Sequence, residues 1–141
     1  MKNLDADIPM IEDFIQKSID RFTAEIGVPG AVGIYCCPWS GWLTTHFNTD
    51  KTIPESHLNC PDFQFVEFDF LELPDWQEEY EQESPVFEFN GIRFRHDHNL
   101  GDENLNGFIF NCLKPVVMNL RHRNKPQFLL QLLDSAFVAV I

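Results

Sequence analysis

The chain predicts an α+β fold: a mostly antiparallel sheet built from hairpins, with amphipathic helices packed on one face, in a single domain spanning residues 1–141. Three observations lead there. Apolar residues recur at helical spacing in two stretches, Ile8 to Ile26 and onward from about Leu105. Phe63 to Leu73 alternates apolar and acidic residues with period two, as a half-buried strand does. Asn90-Gly91 lies between two alternating runs, which is the sequence of a type I′ hairpin.

In the first helix Ile11, Phe14, Ile15, Ile19, Phe22 and Ile26 share a face. Asp7 is its expected N-cap, Pro9 sits in the first turn, and Gly27-Val28-Pro29-Gly30 ends it. Ala31–Cys37 and Trp42–Asn48 are predicted strands around the turn Pro38-Trp39-Ser40-Gly41, followed by a loop to Pro61. In the strand Phe63–Leu73, Val66, Phe68 and Phe70 are expected on a buried aromatic face, with Glu67 and Asp69 on a wet acidic one. Pro74 then opens a short helix to Glu83, in which Trp76 and Tyr80 share a face and early acids suit the helix dipole. The hairpin pairs Phe89 with Ile92, Glu88 with Arg93 and Phe87 with Phe94. His96 to Asn104 is a polar loop. The helix from Leu105 should kink or split at Pro115 and close on Arg121-His122-Arg123-Asn124-Lys125. Gln127 to about Leu133 is a last strand, with a short segment after it.

Charge is unevenly distributed. The 141 residues carry 22 acids and 10 Lys or Arg, a net charge of −12. Residues 52–92 hold eleven acids and no Lys or Arg, whereas residues 93–141 hold four acids and six bases. A concentrated negative field repels nucleic acid and anionic lipid, and it orients basic protein surfaces. Met1 to Asp7 lacks the basic and apolar regions of a secretory signal, and no apolar run reaches the roughly 20 residues of a membrane span, so a cytoplasmic protein is expected.

Catalytic signatures are sparse. There is no GxGxxG, P-loop, GxSxG or HExxH. Cys36, Cys37, Cys60 and Cys112 form no CxxC, and buried free thiols are the ordinary outcome. A thiolate–imidazole pair would need Cys36, Cys37 or Cys60 beside His46 or His57. In His96-Asp97-His98 an extended backbone would point both imidazoles one way, and with Asp102 or Glu103 that would suit zinc or iron. A solvated loop is the commoner reading, and no cofactor or metal site is expected. Trp39 sits in a turn, where it is either an exposed hot spot or folded onto the core.

In size, acidity, α+β pattern and lack of a catalytic motif, the whole chain resembles the small acidic immunity proteins of bacterial polymorphic-toxin and contact-dependent growth inhibition systems. These proteins share no defined motif, so the resemblance assigns no residue. It implies a protein-binding module, not an enzyme, that binds a basic toxin domain, often a nuclease, and blocks its active site or substrate face. Charge alone then nominates Glu67, Asp69, Glu72, Asp75, Glu78, Glu79, Glu81 and Glu83 as partner contacts. The alternatives are a small metal-dependent enzyme using the His96-Asp97-His98 loop, or a structural subunit of an assembly.

Overall fold

The computed structural model describes residues 1–50, 53, 58–77 and 84–141, with His98 by its backbone alone. Its elements run β1 (Lys2–Asn3), α1 (Asp7–Glu25), β2 (Ala31–Cys37), β3 (Trp42–Asn48), β4 (Phe65–Glu72), β5 (Val86–Phe89), β6 (Ile92–Arg95), α2 (Glu103–Arg123), β7 (Gln127–Leu132) and β8 (Val138–Val140). The α+β class read from the sequence is the one observed. A five-stranded sheet has the order β4-β3-β2-β7-β8, and a three-stranded sheet has the order β1-β5-β6. Most neighbours are antiparallel, but β2 pairs with β7 in parallel and β1 with β5 in parallel. These parallel pairings join distant parts of the chain, so no turn residue announces them. No helix among the described residues is long and apolar enough to cross a membrane.

Strand alternation gives the large sheet two faces. Val32, Ile34, Cys36, Leu43, Phe47, Phe128, Leu130 and Leu132 face inward, where they form one buried cluster with the apolar stripes of α1 and α2. Phe87 of the small sheet joins the same cluster, and Phe94 stacks on Phe108 of α2 at 5.0 Å between ring centres. The outward face carries Ala31, Gly33 and Tyr35 on β2 and Trp42, Thr44 and His46 on β3. One end of that face is covered by Ile53, Cys60 and Phe63, which pack on Ala31 and Leu129. Gly33 makes this cover possible. A β-carbon there would stand 3.0 Å from Cys60 Sγ and 3.2 Å from the Phe63 ring.

Several expectations from the sequence are corrected. Ala6, not Asp7, holds the N-cap position of α1, and it makes no side-chain cap. Asp7 instead accepts the indole N–H of the buried Trp76 at 2.8 Å. The short helix expected over 74–83 begins as a single 3-10 turn, Pro74–Trp76, which ends in extended backbone at Gln77; residues 78–83, with Tyr80, lie outside the described residues. α2 runs unbroken through Pro115, because Pro115 and Asn111 are both exposed and water can satisfy the carbonyl that proline leaves unbonded. The hairpin forms in the predicted register, with Asn90 and Gly91 both at positive φ, 53° and 76°, as type I′ requires.

The largest departure is in β4. Thr45 pairs with Asp69 and Phe47 with Phe65, so Val66, Glu67 and Phe68 stand opposite His46 alone. Glu67 takes φ of 51°, and this bulge breaks the alternation. Phe65, Phe68 and Leu71 pack on the core, whereas Phe70 is 55% exposed. The sequence expected Phe70 buried and Asp69 wet; the bulge reverses both.

The bulge makes a paired prediction. Replacing Glu67 with glycine removes the left-handed cost and should raise unfolding free energy by about 0.5–1 kcal/mol. Glu72→Gly, in regular strand, should lower it by about 1 kcal/mol. Urea denaturation of the two variants checks this; a loss of stability in both would contradict the bulge.

Candidate functional site

His46 and Glu67 set the geometry of the acidic strand. The Glu67 backbone N–H donates to His46 Nδ1 at 3.2 Å. Nδ1 is therefore an acceptor, and the ring proton lies on Nε2, which donates to Thr44 Oγ1 at 2.8 Å. The Thr44 hydroxyl in turn donates to the Tyr35 carbonyl at 3.5 Å. The imidazole is fully buried, edge-on to Tyr35 and Phe63. Burial among neutral groups pushes its pKa down to about 4, so the ring is neutral.

Immediately after the bulge, Asp69 turns inward to a closed hydrogen-bond circuit. Its N–H donates to Thr45 Oγ1 at 3.2 Å, Thr45 and Ser18 share a 2.7 Å bond, and the Ser18 hydroxyl donates to Asp69 Oδ2 at 2.6 Å. Arg21 closes on the same carboxylate through Nη2 to Oδ1 at 2.8 Å and Nε to Oδ2 at 3.4 Å. Its guanidinium carbon lies 4.0 Å from the centre of the Phe68 ring. An arginine is thus held between an aromatic ring and a carboxylate, and this clamp ties α1 to the edge strand.

The outward side of β4 has a different character. Tyr35 and Trp42 lie 5.6 Å apart between ring centres, and Trp42 and Phe70 6.3 Å apart. The three rings come from three adjacent strands and form a row on the face that the helices do not cover. Glu72 lies across from Trp42, and Asp134 lies near Tyr35. Burial, and then the Asp134 carboxylate, raise the Tyr35 pKa, which keeps its hydroxyl protonated.

The nominated acids therefore divide. Glu67, Glu72 and Asp75 are exposed. Asp69 is committed inside the molecule to Arg21 and Ser18. Glu78, Glu79, Glu81 and Glu83 lie outside the described residues. Glu88, in the same acidic stretch, pairs across its hairpin with Arg93 at 3.7 Å. The aromatic row was missed because its rings are far apart in sequence; only strand order unites them.

Other candidate chemistry resolves differently. The sequence reading needs an extended segment at residues 96–98, but His98–Leu100 is a 3-10 turn. His96 is buried, with Nε2 3.2 Å from Asp102 Oδ1. No group of three or more His, Cys, Asp or Glu among the described residues is placed to hold a metal ion. The Cys60 thiol donates to the Leu129 carbonyl at 3.9 Å, and both nitrogens of His46 have other partners. Burial raises the pKa of all four thiols, that of Cys112 to about 11. His57 lies outside the described residues. Trp39 packs on the core. A shallow cleft of about 320 Å³ lies where β2 and β7 begin, lined by Val28, Pro29, Gly30, Lys125, Pro126 and Gln127; its one ionisable residue is Lys125.

No protein-family model, curated protein or solved structure matches the chain.

The buried histidine predicts acid sensitivity. Its folded pKa is below the ordinary imidazole value of 6.5, so the unfolded chain takes up the proton first as pH falls. Stability from this group should be complete above about pH 6.5 and decline toward pH 4, by about 3 kcal/mol in all. Urea midpoints between pH 4 and 7 for the wild type and His46→Gln should differ in slope across this window. Parallel profiles would contradict the assignment.

Proposed function

We propose that this chain is a protein-binding module that captures a basic toxin domain, in the manner of an immunity protein. The observation that supports it most is that exposed carboxylates on and beside the large sheet have no Lys or Arg among its strands. None of β2, β3, β4, β7 and β8 contains a Lys or Arg. The helices on the inner face carry both signs, with five Lys or Arg beside six Asp or Glu, and Lys17, Arg21 and Arg123 are in ion pairs. Of the carboxylates on or beside the sheet, Glu67 and Glu72 are exposed and in no ion pair among the described residues, and Asp134 is exposed at the β7–β8 turn.

A basic partner approaching the outward face of the sheet meets exposed carboxylates and no Lys or Arg from its strands. Fields of this kind orient encounters and accelerate association, and they discourage nucleic acid from the same surface. Capture of a nuclease domain through its own substrate-binding cations would exclude its substrate without any chemistry on this chain. The acids nominated by charge remain the proposed contacts where they are exposed, Glu67, Glu72 and Asp75.

The test is reconstitution with the toxin domain encoded beside this gene. A stoichiometric complex that abolishes toxin activity is expected. The double reversal Glu67→Lys/Glu72→Lys should slow association at least about tenfold at low salt and flatten its salt dependence. A gene neighbourhood without a toxin, or a toxin fully active in the presence of excess protein, would overturn the reading.

A further inference from the structure

Resting on the reading that the partner is a basic protein, we propose that the outward aromatic row Tyr35–Trp42–Phe70 is an arginine-docking surface, on which guanidinium groups of the partner stack while Glu72 takes their hydrogen bonds. The row lies on the open part of the sheet. Phe70 is 55% exposed, and Val66, before the bulge on the same strand, is 46% exposed. Large apolar side chains left uncovered and rimmed by polar groups mark interaction sites. Complementary charge states the occupant: Glu72 pairs with Trp42 in strand register, Asp134 lies near Tyr35, and the sheet itself supplies no cation.

Arginine, as opposed to lysine, follows from the arrangement β4 already uses on its other side. There Phe68 and Asp69 hold Arg21, with the guanidinium 4.0 Å from the ring centre and a two-pronged contact to the carboxylate. Phe70, two residues after Phe68, and Glu72, three after Asp69, place a ring and a carboxylate on the outward side. The chain fills the inner position from α1; the outer position awaits a guanidinium from elsewhere. Planar, weakly hydrated guanidinium stacks on rings and forks onto carboxylates, whereas a compact ammonium does neither well. Trp42 adds the ring type that binds cations best.

The test uses the full chain and three labelled peptides of equal length: octa-arginine, octa-lysine and octa-citrulline, the last keeping the side-chain shape without the charge. Fluorescence anisotropy gives affinities at low salt, and the indole N–H resonances of Trp39, Trp42 and Trp76 report position. Octa-arginine should bind at least about threefold tighter than octa-lysine and shift the Trp42 indole signal but not that of buried Trp76. Octa-citrulline should bind much more weakly than either. Trp42→Ala and Phe70→Ala should each weaken octa-arginine at least about threefold and leave octa-lysine within about twofold. The Trp42 signal of the unaltered protein decides the matter should either variant fail to fold. Equal binding of the two cationic peptides, or an unmoved Trp42 resonance, overturns the proposal. Trp42→Ala/Phe70→Ala protein that still neutralises the toxin at the wild-type dose overturns the surface and leaves the toxin-binding reading intact. Octa-arginine docking at Trp42, with no toxin bound by the wild type, supports the surface and removes that reading.

Discussion

The hydrogen bond from the Glu67 amide to His46 Nδ1 anchors the feature on which the two characters of this molecule depend. It ties down a left-handed residue near the start of the edge strand, and so lets three residues of β4 face one residue of β3. Everything C-terminal to that point is re-aimed. Phe68 and Asp69 turn to the helices together, and Phe70 and Glu72 turn to the open face. A bulge of this kind also spoils the strand as a template for edge-to-edge pairing, which an acidic, twisted edge discourages further.

The inward half of this arrangement is structural. The Ser18–Thr45–Asp69 circuit is buried apart from the carboxylate, and every donor in it has an acceptor. Arg21 covers the remaining charge and closes the edge of the core over Phe68, Phe22 and Phe47. The outward half uses the same residue types without an internal cation. Where burial, ring stacking and a carboxylate are already satisfied within the chain, the strand adds stability. Where they are left open, it offers a surface. The helices meanwhile keep their own cations among themselves, as with Arg123 on Glu12 at 3.2 Å. The two faces of the sheet therefore differ in cover, and the strands bring no Lys or Arg to the open one.

Much of the fold was legible because its signals are local. Five of the six apolar residues read at helical spacing lie in α1, with Ile26 at its C-cap and 45% exposed, and Asn90-Gly91 sets a hairpin register that the structure reproduces pair for pair. What was not legible depends on contacts distant in sequence. The parallel join of β2 to β7 brings Ala31 beside Gln127. The bulge falls on Glu67, a residue type that gives no hint of positive φ, so the alternation of Phe68 with Phe70 read as one buried face. His46, which accepts the bulged amide, is separated from Glu67 by the whole 49–64 connection. The candidate site divides in the same way. The run of acids was visible in composition alone, but which of them are consumed inside the fold was not; Asp69 is spoken for by Arg21 from α1. The aromatic row joins residues 35, 42 and 70 through strand order and could not be seen along the chain.

Solvent exposure of the aromatic rings of β4 tests the account most directly. A soluble gadolinium chelate broadens proton resonances near the protein surface, so ring protons of Phe68 and Phe70 can be compared in one spectrum. With the bulge in place, Phe70 and Trp42 should broaden strongly while Phe68, beneath Arg21, and Phe65 stay sharp. Equal protection of Phe68 and Phe70, as an unbroken alternating strand would give, would contradict it.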